Sequence, residues 1–200
     1  LTTINIMECD FGDEGSRLFA LAIGSCTNKS LQKVFLEDNN ISEEGMVDII
    51  TALSVHPHLK YLDLDGNRLR KNGCLALATL LRCSASELQK LFISRNDIGD
   101  EGIEALLPTL ANCSCLQSLG ICDNPRITTK GWQRLATILE SPSCNLTWLG
   151  ISHNNIDDDT LAEFTITLAN NNTLYKLHLD TNPITAVGWK AFSNLLCNTS

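Results

Sequence analysis

Leu59-Lys60-Tyr61-Leu62-Asp63-Leu64-Asp65-Gly66-Asn67-Arg68-Leu69 carries the pattern Leu-x-x-Leu-x-Leu-x-x-Asn-x-Leu, and its recurrence decides the fold. Copies with Leu, Ile, Val or Phe at the apolar places begin at Leu1, Leu31, Leu59, Leu88, Leu116, Leu146 and Leu174, so successive starts lie 30, 28, 29, 28, 30 and 28 residues apart. A fixed period of this length marks stacked units. Each is too small to bury its own apolar face and is completed by its neighbours.

Counting from the first leucine of a copy as zero, positions +3 and +5 are apolar, as Leu62 and Leu64. A short strand alternates its faces, so +2, +4 and +6 point the other way. The Asn at +8 (Asn39, Asn67, Asn96, Asn124, Asn154, Asn182; Cys9 in the first copy) closes the strand. Its amide has donors and acceptors for backbone groups that the bend leaves unpaired, and stacked copies predict a ladder. A helix follows. Gly15, Gly45, Gly73, Gly102, Gly131 and Gly188, with Thr160 in the sixth copy, precede apolar residues at helical spacing, such as Met46, Ile49, Ile50 and Leu53. Pro108 predicts a kinked or shortened fourth helix. Asp157-Asp158-Asp159 lacks the ligand spacing of a calcium loop and falls where a helix begins, at the positive end of its dipole.

The 28–30 period, its long–short alternation and the Asn-x-Ile-x-x-x-Gly run resemble the ribonuclease-inhibitor-like class of leucine-rich repeat. That class includes ribonuclease inhibitor, the repeat domains of NOD-like receptors and the Ran GTPase-activating protein. The resemblance covers residues 1–200 as a single domain and implies an α/β solenoid, a horseshoe with its parallel sheet on the concave face and helices on the convex face. Cys9, Thr160 and the extra residue in Asn124-Pro125-Arg126-Ile127 are local departures. Neither end carries a polar cap, so the sequence reads as a segment of a longer array, adjoining further repeats or domains of the same full-length chain.

The outward strand positions define the expected contact surface. Phe35, Tyr61, Phe92 and Trp148 are large aromatics turned from the core, the residue type that anchors interfaces. Beside them stand Glu37, Asp38, Asp63, Asp65, Asp123 and Asp180, with Glu8 further along the edge, and Arg95, His153 and His178 complete the predicted partner-binding set. This combination suits a basic protein or peptide, the charge raising the encounter rate. The bland alternative is that the aromatics merely cover neighbouring leucines and the acids solvate the face. The resemblance implies a non-catalytic interaction module. Its competitors are a GTPase-activating regulator resembling the Ran GTPase-activating protein and a structural subunit of a larger assembly.

Composition narrows the classes. The formal charge of −8, from 15 Lys and Arg against 23 Asp and Glu, disfavours nucleic acid and anionic membranes as partners. No Ser/His/Asp or Cys/His arrangement and no phosphate-cradling loop supports an enzyme, and no cofactor is implied. Nine cysteines, an odd number scattered over strand, helix and turn, point to reduced thiols and a cytoplasmic setting. Sequons at Asn28, Asn112, Asn145, Asn171 and Asn198 keep an extracellular alternative open. Cys26, His56, His58, Cys83, Cys113, Cys115 and Cys144 occupy equivalent turns. They lack a tight Cys-x-x-Cys pair, so no metal site is expected.

Overall fold

The computed structural model describes residues 1–27, 29–82 and 87–198, and for 195–198 the backbone only. Among these residues seven three-residue strands alternate with seven α-helices. The strands are β1 (Thr3–Asn5), β2 (Lys33–Phe35), β3 (Tyr61–Asp63), β4 (Lys90–Phe92), β5 (Ser118–Gly120), β6 (Trp148–Gly150) and β7 (Lys176–His178). The helices are α1 (Gly12–Gly24), α2 (Glu43–Leu53), α3 (Arg70–Arg82), α4 (Asp100–Leu110), α5 (Thr129–Ala136), α6 (Asp158–Leu168) and α7 (Ala186–Asn198). The sheet runs β1 to β7 in sequence order, every pair parallel. Register is kept throughout: Thr3, Lys33, Tyr61, Lys90, Ser118, Trp148 and Lys176 form one row, and Asn5, Phe35, Asp63, Phe92, Gly120, Gly150 and His178 another. Strands pack about 4.8 Å apart and helices about 8–10 Å apart, so a stack of this kind bends with its sheet on the inside. The chain is an α/β leucine-rich repeat solenoid.

Alternation in the strands becomes burial. Val34, Leu62, Leu91, Leu119 and Leu149 and their +5 partners Leu36, Leu64, Ile93, Ile121 and Ile151 are sealed in one spine against Met46, Leu77, Ile103, Trp132 and Phe164 from the helices. The asparagine ladder is present. Asn67 Oδ1 accepts from the backbone N–H groups of Asn39 and Ile41, while its Nδ2 donates to the carbonyls of Leu36, Leu64 and Asp65. Asn96, Asn124, Asn154 and Asn182 repeat the arrangement from coil to coil. Polar atoms are thereby satisfied where the chain turns inside the molecule, which is what permits such sharp buried bends.

The helix glycines answer a spacing constraint. A Cβ on Gly73 would lie 2.5 Å from Leu69 Cδ1, and one on Gly45 2.9 Å from Ile41 Cγ2, so each glycine leaves room for the buried apolar residue that leads into its own helix. Asp157 caps α6, accepting from the Thr160 N–H at 2.8 Å and the Thr160 hydroxyl at 2.6 Å. The expected effect of Pro108 on helix length is corrected: α4 has 11 residues, the same as α2 and α6. The interrupted helix is α5, with 8 residues, which tightens into a 3-10 turn at Thr137–Glu140. There Ser141 precedes Pro142 and is extended, at ψ 131, as the proline ring requires.

Candidate functional site

The concave face is built from positions +2 and +4 of the strands and the turn that follows each. Phe35 and Tyr61 have ring centroids 4.7 Å apart, Tyr61 and Phe92 5.4 Å, Phe92 and Trp148 5.7 Å, and Trp148 and His178 5.3 Å. The four aromatics are half-buried, while His178 is exposed. From β2 to β6 the row crosses four strand spacings, or about 19 Å, roughly the length of six extended residues. Two glycines form part of its floor. A Cβ on Gly150 would come 2.5 Å from Trp148 Cη2, and one on Gly120 2.8 Å from Phe92 Cδ1. Neither backbone adopts a positive φ, so glycine stands there for the rings' sake.

On one side, in the +2 row that also holds Tyr61 and Trp148, lie the exposed Lys33, Lys90 and Lys176. On the other, about 13 Å further along the strands, come the acids at +6 and +7. Every +7 residue has positive φ: Glu8, Asp38, Gly66, Arg95, Asp123, His153 and Thr181. Their side chains therefore leave the strand ends in a left-handed turn. Asp38 and Arg95 pair with each other at 2.9 Å across the intervening coil. They pass over Gly66, where any Cβ would collide with the Asp38 carboxylate.

Asp63 departs from the sequence expectation. It keeps the outward row between Phe35 and Phe92, yet only 5% of it is exposed. The Tyr61 hydroxyl donates to its Oδ2 at 3.3 Å, and the Asp65 N–H to its Oδ1 at 3.2 Å. Burial, the nearby Asp65 charge, and the charge and hydrogen bond of Glu37 push its pKa up to about 8. Asp65 rises to about 6 through burial, moderated by two hydrogen bonds from Ser94 and by the Arg95 charge. Tyr61 is pushed up to about 12 by burial and by Asp63. Glu37 Oε2 is buried with no hydrogen-bond partner among the described residues. Three carboxylates thus meet beside the Phe35–Tyr61 step, and none makes an ion pair within 4 Å among the described residues.

The remaining predicted site residues lie at the far end of this edge. Asp123 and His153 are exposed, and Asp180, also exposed, accepts from the Ser152 hydroxyl at 2.8 Å, which holds its carboxyl below the usual range. The turn residues on the opposite edge have structural contacts: His56 Nε2 lies 3.0 Å from the Ile23 carbonyl, His58 faces Glu87, and Cys113 and Cys115 have Sγ atoms 3.4 Å apart. Cys83 and Asn28 lie outside the described residues, as does the Asn198 side chain. Among the described residues no group of His, Cys, Asp and Glu is arranged to hold a metal ion, and no helix is long and apolar enough to cross a membrane. The glycine floor and the burial of Asp63 escaped the sequence reading. Two successive glycines at +4 were the available signal for the first.

A leucine-rich repeat family model matches residues 1–20, 55–78 and 87–107. NACHT, LRR and PYD domains-containing protein 2 of Homo sapiens is 30% identical over 202 residues, an alignment covering 100% of this chain and 19% of that protein. Leucine-rich repeat-containing protein 73 of Homo sapiens is 30% identical over 173 residues, 85% of this chain and 45% of its own length. The chain is built of leucine-rich repeats, and its coils resemble the repeats of NOD-like receptors. It spans less than half the length of either relative. Among solved structures the fold is matched by the yeast Rad7 and Elc1 complex, with a TM-score of 0.63 and 20% identity over 90% of this chain and 42% of that one. Leiomodin-1 actin-binding site 2 matches with a TM-score of 0.52 and 19% identity, covering 89% of this chain and 85% of that one.

Proposed function

We propose that this chain is a non-catalytic protein-interaction module that docks a protein or peptide on its concave sheet face. The observation that carries the reading is the continuous row Phe35–Tyr61–Phe92–Trp148–His178 on the outward side of the sheet. The core is already complete beneath it, so folding needs no aromatic at these places. Stacked rings supply large, rigid contact area at little entropic cost. The likeness to other leucine-rich repeat proteins supports the same reading, and leiomodin-1 and the Rad7–Elc1 pair are named for an actin-binding site and a complex. The apolar residues exposed on the end coils, Leu18 and Leu21 in α1 and Tyr175 and Val187 beside β7 and in α7, suit contact with further repeats or domains of the same full-length chain. A cytoplasmic setting belongs to this proposal.

The test replaces Phe35, Tyr61, Phe92 and Trp148 together with alanine and measures retention of binding proteins from cell extract. A control replaces Leu75 and Ile166, which are exposed on helices α3 and α6. Loss in the first variant alone is expected. Unchanged retention in the first variant moves the interface off the sheet face.

A further inference from the structure

The aromatic face carries an electrical asymmetry that selects its occupant. Lys33 and Lys90 flank Tyr61 in the +2 row, so a cation is driven from that row toward the acids nearer the strand ends. On the opposite edge the carboxylates of Glu37, Asp63 and Asp65 crowd beside the rings of Phe35 and Tyr61, with the nearest arginine, Arg95, already held by Asp38. A buried carboxylate group without a counter-ion is costly, and a charge delivered by a partner relieves that cost at the moment of binding. Two side chains, those of arginine and lysine, remain cationic at neutral pH. A guanidinium is planar, stacks on an aromatic face and offers five donors in a fork wide enough to engage more than one carboxylate; an ammonium is a hydrated point charge. The site offers a ring face on one side and, on the other, the partly exposed side chains of Glu37 and Asp65 over the buried Asp63.

We infer that the concave face recognises a protein segment through an arginine seated at the Phe35–Tyr61 step, its guanidinium bonded to the partly exposed carboxylates of Glu37 and Asp65 above the buried Asp63, while apolar residues of the same segment lie along Phe92 and Trp148. This rests on the proposed use of the sheet face and adds the chemistry of what it reads. The groups facing Asp63 are Glu37 from the preceding coil and Tyr61 and Asp65 from its own; Asp65 is faced in turn by Ser94, Arg95 and Cys122 from the next two coils. With Asp63 protonated at neutral pH, an incoming guanidinium displaces that proton. Affinity then rises with pH, by up to about tenfold per unit below pH 8 where one proton is released.

The experiment is a selection of random twelve-residue displayed peptides on the wild-type chain, counted only where binding is lost on the Phe35, Tyr61, Phe92 and Trp148 alanine variant. Recovered peptides are then measured by calorimetry in two buffers of different ionisation enthalpy. Arginine enriched at one peptide position supports the inference. So does a loss of roughly tenfold or more on its replacement by lysine, or on E37Q/D63N/D65N, with net proton release. The lysine peptides leave the chain untouched, so misfolding of a variant cannot mimic this outcome. Face-dependent peptides without an arginine preference overturn the inference and leave the docking face standing. A selection yielding only peptides indifferent to the four aromatics overturns both.

Discussion

Replacing Asp63 with asparagine isolates the strain stored at the carboxylate cluster. In the folded chain the carboxyl stays protonated up to about pH 8, against an ordinary value of 3.8. A folded-state pKa above the unfolded one means that the folded chain holds the extra proton between those limits, so stability falls as pH rises through that window. Each pH unit costs about 1.4 kcal/mol per proton, so from pH 4 to pH 7 the loss is on the order of 4 kcal/mol. Asp65, raised to about 6, adds a loss of the same sign in the lower part of the range. Asparagine has the same shape. Its Oδ1 still accepts from the Asp65 N–H, and its Nδ2 can donate to Glu37 where the carboxyl donated its proton. Urea unfolding of wild type and D63N at pH 5 and pH 8 measures the effect. The variant is expected to gain on wild type by roughly 2–4 kcal/mol over that interval. Parallel curves at both pH values would refute the account of the cluster.

Gly150→Ala forces a Cβ into the Trp148 ring and should cost about 1–3 kcal/mol in denaturant unfolding, with a shift of indole emission absent when Trp148 is already Phe. Asp157→Ala removes the cap of α6 and its bond to Thr160, costing about 0.5–2 kcal/mol by the same assay. Asn124→Leu strips acceptors from the N–H groups of Asn96 and Ile98 and should cost more, about 3 kcal/mol or above, read as a lower unfolding midpoint.

The fold was legible because each repeat states the same alternation, and seven concordant copies leave one register that seals the +3 and +5 residues of the five middle copies in the core. The Asn ladder was legible for the same reason. What a single strand could not reveal depends on its neighbours. Asp63 sits at an outward position by pleat and is still covered, because Phe35 and Phe92 flank it across the sheet and Tyr61 bonds to it. The Asp38–Arg95 pair joins residues 57 apart over a coil whose +7 residue is glycine. Pro108 does not shorten its helix for a local reason: it lies near the end of α4, in its last turn, whereas Pro142, through the extended residue before it, ends the turn that follows α5.

The central claim is that partners meet the sheet and not the helices. A photo-crosslinking phenylalanine analogue placed at Phe92, on the sheet face, and separately at Leu75, on α3, addresses it most directly when each protein is irradiated in cell extract. Covalent adducts through position 92, suppressed by alanine at Phe35, Tyr61 and Trp148, are the predicted result. Adducts through position 75, with none through 92, would contradict the account.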